Sequence, residues 1–391
     1  MTPSLLSLSI GTGKLGSQSA PTRSKGRIQE LDGLRGVAVL AVIDCHYLAW
    51  YPAFGAAYGW LGVDLFFVLS GFLISSILLE LRDKEHYFTV FYSRRALRIF
   101  PPYFLGLLVY FAFSAATGML GTLGLWSSYV FYYVSLIIHK PLPPVGHPLG
   151  VPIEVAFGLT VLWSLSVEEI YYTIWAPVVR FTGERGFTAI LILMILAAPL
   201  LRWHLYTQQN YEAFTFYCRM DGLAYGSLVA LLIRHRRLAP SRWLRADGVL
   251  NWLTIIVTLS SLLCWLAFKG EVHSALAFAL GITLADLSFA LIVHSMVRQS
   301  GSNQFWIRMF RAKWLQSIGM VSYSLYLFHY PLLIVAEDIV ARMHLPRRAG
   351  VVAHVIIGLI LTFTAAYGLW YLMESRILRW KDRKVPTTAH P

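Results

Sequence analysis

Apolar residues run along this chain in long blocks, cut by short segments rich in arginine and lysine. A helix needs about 20 apolar residues to cross a bilayer. Read at that length, the blocks predict ten spans, near 34–54, 58–80, 102–118, 158–180, 186–203, 214–233, 249–268, 274–297, 316–337 and 350–373. The further apolar run 123–138 is read as re-entrant or interfacial. The basic segments 82–98, 180–185, 234–245, 298–313 and 376–384 share one side of the membrane only if that run does not cross. That side is the cytoplasm, and both termini fall on it. The segment 139–155 holds Pro141, Pro143, Pro144, Pro148 and Pro152 and is read as an extended outer loop. The expected architecture is an all-α polytopic membrane bundle of about ten helices over 30–380. It sits between a flexible cytoplasmic tail at 1–29 and a short cytoplasmic tail at 381–391.

Composition agrees with this pattern. Of 391 residues, 57% are hydrophobic and 14% charged, too apolar a chain for a soluble domain. The net charge of +13 does not point to nucleic acid, because the basic residues sit between spans, where they set orientation. The three cysteines, Cys45, Cys218 and Cys264, have neither metal-ligand spacing nor a disulfide framework. No metal site is expected, and no phosphate-binding glycine loop or serine-nucleophile elbow is present.

The candidate chemistry lies in a few polar positions inside apolar runs. Arg35 and His46 are eleven positions apart, three helical turns plus about 20°, so they share a face about 16 Å apart along the axis. Ionisable groups within a membrane are costly and point to function. In the second span Asp64 lies near the outer end, while Ser70 and Gly71 suit close helix packing. Arg94, Arg95 and Arg98 precede Pro101 and Pro102. Three guanidinium groups at the cytoplasmic surface suit either phosphates or orientation. Trp163-Ser-Leu-Ser-Val-Glu-Glu169 holds adjacent carboxylates at a span edge, and its Ser166 and Glu169 also fit a capping box. Gly222 and Gly226 form a small-residue packing spacing beside Arg219 and Asp221, which either neutralise each other or line a cavity. His329 is expected at a depth similar to His46, with Ser322 and Tyr326 sharing one face of its helix.

In this order the motifs resemble the acyltransferase 3 family of bacterial integral-membrane acyltransferases. They are Leu31-Asp-Gly-Leu-Arg-Gly36, Arg35 eleven before His46, Gly62-Val-Asp-Leu-Phe-Phe-Val-Leu-Ser-Gly71, Arg94-Arg95-x-x-Arg98, Trp163 to Glu169, and Tyr323-Ser-Leu-Tyr-Leu-Phe-His329. The resemblance covers about 28–380. It implies a ten-helix domain in the bacterial inner membrane. It also implies transfer of an acyl group, usually acetyl, from acyl-CoA to a hydroxyl of a surface polysaccharide or similar acceptor, with no permanently bound cofactor. Carried onto this sequence, it makes His46, Glu169 and His329 the catalytic candidates and Arg35, Arg94, Arg95 and Arg98 the acyl-CoA candidates. Asp64, Ser70, Trp163 and Tyr326 are then the acceptor-side candidates. The sequence departs from the common pattern at Ile170, where glutamine is frequent, and at Asp44-Cys45, where apolar residues are. The competing class is a proton-coupled transporter or flippase, in which buried His, Asp and Glu residues form a relay.

Overall fold

The structure is a computed structural model that describes residues 28–48, 58–116, 159–207, 215–238, 246–267 and 274–384. The runs 123–138 and 139–155 and most of both tails lie outside the described residues. Within them every regular element is helical. In chain order these are α1 (Gln29–Leu48), α2 (Leu61–Leu81), α3 (Tyr87–Ala116), α4 (Trp163–Phe181) and α5 (Glu184–Thr207). They continue with α6 (Met220–Leu238), α7 (Ala246–Ala267), α8 (Ile282–Arg298), α9 (Phe305–Phe310) and α10 (Lys313–Met320). The last three are α11 (Ser322–Arg342), α12 (Arg347–Leu369) and α13 (Ser375–Lys384). Short π-helical turns lead into α8 at Ala277–Gly281 and join α12 to α13 at Trp370–Glu374.

The chain is a multi-pass membrane protein. Among the described residues six helices are long and apolar enough to cross: α2, α5, α7, α8 with its π-turn, α11, and α12 continuing through α13. This is fewer than the ten expected. Part of the difference is physical: α1 carries Glu30, Asp32, Arg35 and Asp44, and α4 carries Glu168, Glu169 and Arg180. Several of those charges face the protein interior rather than lipid.

Three elements differ from the sequence expectation. The third helix does not begin at its prolines. It runs unbroken from Tyr87 to Ala116, with Pro101 and Pro102 inside it, so Arg95 and Arg98 ride on a rigid helix. The expected span at 316–337 is two helices, α10 and α11, joined at Val321. Ser166 does not cap a helix, because α4 already starts at Trp163 after a 3-10 turn.

Close backbone approach sets the packing. A Cβ on Gly71 would meet the Leu223 carbonyl oxygen at 2.0 Å, and one on Gly226 would meet that of Val68 at 2.0 Å. Only glycine at both positions lets α2 and α6 lie this close. The same device seats α1 against α9 and α10: a Cβ on Gly33 would fall 2.1 Å from the Phe310 oxygen, and one on Gly319 would fall 1.8 Å from that of Asp32. The glycines around Arg35 therefore fix the height of that side chain in the bundle.

A buried charge network ties α2, α5, α6 and α8 together at one level of the bundle. Arg219 and Asp221 do not neutralise each other, and neither lines the cavity described below. Arg219 donates to Asp64 at 2.7 Å, and Arg202 grips Asp221 through two bonds of 2.8 and 2.6 Å. Arg202 and Asp221 are fully buried, and Asp64 nearly so. Asp286 lies beside them, 1% exposed, and among the described residues neither of its oxygens has a hydrogen-bond partner.

Candidate active site

A cavity of about 160 Å³ opens between α1, α2, α3, α4 and α11. Its longest wall is one stripe of α2: Val63, Phe66, Phe67, Ser70, Leu73, Ile74 and Ile77. These positions recur at three- and four-residue steps, so they share a face that runs about 21 Å along the axis. One end carries Arg35, Arg95 and Arg98, and Ser164, Ser322, Tyr323 and Tyr326 add hydroxyls. The cavity is a narrow, mostly apolar passage with a cationic group at one end.

The three guanidinium groups are close enough to act on one another electrostatically. Among the described residues neither Arg35 nor Arg98 has a carboxylate within ion-pair distance. Arg95 lies 3.9 Å from the ring centre of Tyr172 and 3.9 Å from a Glu168 oxygen. Glu168 is itself held: Ser70 donates to one oxygen at 2.6 Å and Tyr172 to the other at 2.6 Å. Glu374, buried in the π-turn after α12, accepts from Ser324. Like charges gathered at a cavity end favour an anion there.

The two histidines meet. Nε2 of His329 lies 3.3 Å from Nδ1 of His46, with the rings edge-on at 4.9 Å between centres. Tyr326, which lines the cavity, stands 5.6 Å from the His329 ring, and Tyr330 stands 5.3 Å from that of His46. Tyr47 secures this level of the bundle. Its hydroxyl donates to the carbonyls of His329 and Gly358, each at 3.1 Å, and pairs with the Thr362 hydroxyl at 2.7 Å. Asp44 is exposed and on another face of α1 from His46.

The structure thus gathers Arg35, Arg95, Arg98, Ser70, Glu169 and Tyr326 in one cavity wall, and behind that wall sets His329 against Tyr326 and His46 against His329. It does not bring the other candidates into that wall. Arg94 pairs with Asp382 of α13 at 2.7 Å. Asp64 is engaged by Arg219, whose guanidinium stands 5.6 Å from the ring of Trp163. Ser70 serves Glu168 rather than packing alone. Glu168 lines the cavity beside Glu169.

Comparison with known proteins now decides the class. The family profile described as an acyltransferase domain matches residues 28–371. The chain belongs to the acyltransferase 3 family. It is 30% identical over 328 residues to the peptidoglycan O-acetyltransferase OatA of Listeria monocytogenes, covering 79% of this chain and 50% of the relative. It is 28% identical over 331 residues to the putative peptidoglycan O-acetyltransferase YrhL of Bacillus subtilis, covering 80% of this chain and 49% of the relative. With the O-acetyltransferase OatA of Staphylococcus aureus the identity is 24% over 340 residues, covering 81% and 52%. The chain therefore spans about half the length of the curated relatives it matches. No solved structure matches it.

Proposed function

We propose that this protein is a membrane O-acyltransferase that moves an acyl group, acetyl in the simplest case, from acyl-CoA to a hydroxyl of a cell-surface glycan. The observation that carries this reading is the cavity: three arginines at one end, and a mostly apolar stripe of α2 about 21 Å long as its wall. Acyl-CoA has that shape, a polyphosphate head and a thin arm ending in a thioester. Arg35, Arg95 and Arg98 hold the phosphates from the cytoplasmic side, in the orientation that the basic loops favour. The arm lies along α2, and the thioester reaches the level of Tyr326 and the histidines. The named activity of the relatives makes peptidoglycan the first acceptor to test. The membrane is the bacterial inner membrane, with both termini in the cytoplasm.

His46 supplies the chemistry. As a general base it takes the acceptor hydroxyl proton; as a nucleophile it carries the acyl group between donor and acceptor. Glu169 lines the cavity and Glu168 holds Arg95 near its mouth. Buried Asp286, whose oxygens have no hydrogen-bond partner among the described residues, is the feature that favours the transporter reading. Radiolabelled acetyl-CoA separates the two. Supplied with peptidoglycan fragments, the purified protein in nanodiscs makes an alkali-labile acetyl ester on the glycan. Intact thioester with every acceptor and acyl length tried would reject the transferase.

A further inference from the structure

The two histidines are not equivalent, and the backbone around them says why. A carbonyl oxygen only accepts hydrogen bonds, so a ring nitrogen against one must carry a proton. Nδ1 of His329 lies 2.6 Å from the Tyr326 carbonyl oxygen and is therefore the protonated nitrogen of that ring. Its Nε2 then presents a lone pair, and this points at Nδ1 of His46 from 3.3 Å. The same His46 nitrogen lies 2.8 Å from the Val42 carbonyl oxygen. Both of its neighbours are acceptors, so Nδ1 of His46 is protonated and shares its hydrogen between them. A neutral imidazole holds one proton, which leaves the lone pair of His46 on Nε2. Among the described residues that nitrogen has no hydrogen-bond partner.

Exposure separates the two rings in the same way. His329 is fully buried with both nitrogens engaged, whereas His46 is partly exposed. Tyr47 holds the backbone of His329 in place from the residue next to His46. We infer that Nε2 of His46 is the reacting nitrogen and that His329 is a positioning residue, an acceptor that fixes the tautomer of its neighbour.

This rests on the acyltransferase reading and narrows it. In the base route Nε2 takes the hydroxyl proton, the alkoxide oxygen bonds to the thioester carbon, the C–S bond breaks, and the thiolate takes the proton back from Nε2. In the carrier route Nε2 bonds to that carbon and the thiolate leaves. The acceptor oxygen then displaces the nitrogen, and its proton ends on the thiolate. Both routes consume thioester and alcohol and give ester and thiol, and both need the lone pair where the geometry puts it.

The test reads the tautomer directly. Protein carrying ¹⁵N-histidine in nanodiscs is examined by solid-state NMR, and the His46 signals are identified by their loss in His46→Asn. The expected spectrum of neutral His46 has a protonated Nδ1 and a bare Nε2. A protonated Nε2 would overturn the inference whether or not transfer is ever detected, so the tautomer stands or falls apart from the activity.

Two variants test the positioning role. In His329→Gln an amide oxygen still accepts, so the His46 tautomer and most of kcat remain. His329→Leu removes the acceptor, mixes the tautomers, and lowers kcat by about 100-fold or more with the acyl-CoA KM unchanged. His329→Gln as inactive as His46→Asn, with an unaltered His46 spectrum, would show that His329 itself reacts. Should His329→Leu not fold, the wild-type spectrum and the glutamine variant decide the matter.

Discussion

Arg35 and His46 show how far a spacing carries at the scale of the residue. Eleven positions at 100° each put them on one face of a helix. The structure places Arg35 in the cavity wall and His46 against His329. The arginine segment shows where spacing stops. Arg94, Arg95 and Arg98 look alike in sequence, yet Arg95 and Arg98 line the cavity while Arg94 is tied to Asp382 outside it. Asp382 lies 288 residues from Arg94, and no local pattern announces it. The split makes a prediction. Arg98→Ala raises the KM for acyl-CoA by about 10- to 100-fold, the worth of one charge-assisted contact. Arg94→Ala leaves that KM near its wild-type value. Initial rates at varied acyl-CoA check both, and equal effects would remove the distinction.

At the scale of the element, the small-residue spacing at Gly222 and Gly226 was readable as packing, but its partner was not. Gly226 meets α2, while a Cβ on Gly222 would come within 3.0 Å of the Asp286 carboxylate. Gly226→Val forces backbone against side chain along α2 and lowers stability by about 1–3 kcal/mol or more. Thermal unfolding in detergent measures that loss, and an unchanged midpoint would contradict the packing. The Asp64–Arg219 pair predicts a larger effect. Asp64→Ala removes the carboxylate that faces a buried guanidinium, and breaking a buried pair costs about 3–5 kcal/mol. The double variant Asp64→Ala, Arg219→Leu removes both charges and recovers much of the loss. Sequence placed Asp64 near the outer end of its span and offered it to a substrate. What it lacked was Arg219, which is 155 positions away.

For the whole molecule, the all-α membrane character was legible because apolar length alone decides it. The number of crossings was less so. α1 and α4 carry charges that face inward, and hydropathy counts a buried charge against a span wherever it points. The proposed orientation makes a prediction: a cysteine placed at Lys384 reacts with an impermeant maleimide only when the cytoplasmic face is open to it. Labelling from the outside of intact cells would reverse the bundle and put the arginines of the cavity on the wrong side for acyl-CoA.

In the proposed reaction thioester is cleaved in this bundle, and His46 does it. The most direct measurement is CoA release from acetyl-CoA by the purified protein in nanodiscs, with peptidoglycan fragments present, wild type beside His46→Ala. Wild type is expected to release CoA, and the variant to lose about 100-fold or more of that rate at an unchanged melting temperature. Release by His46→Ala at the wild-type rate would contradict it.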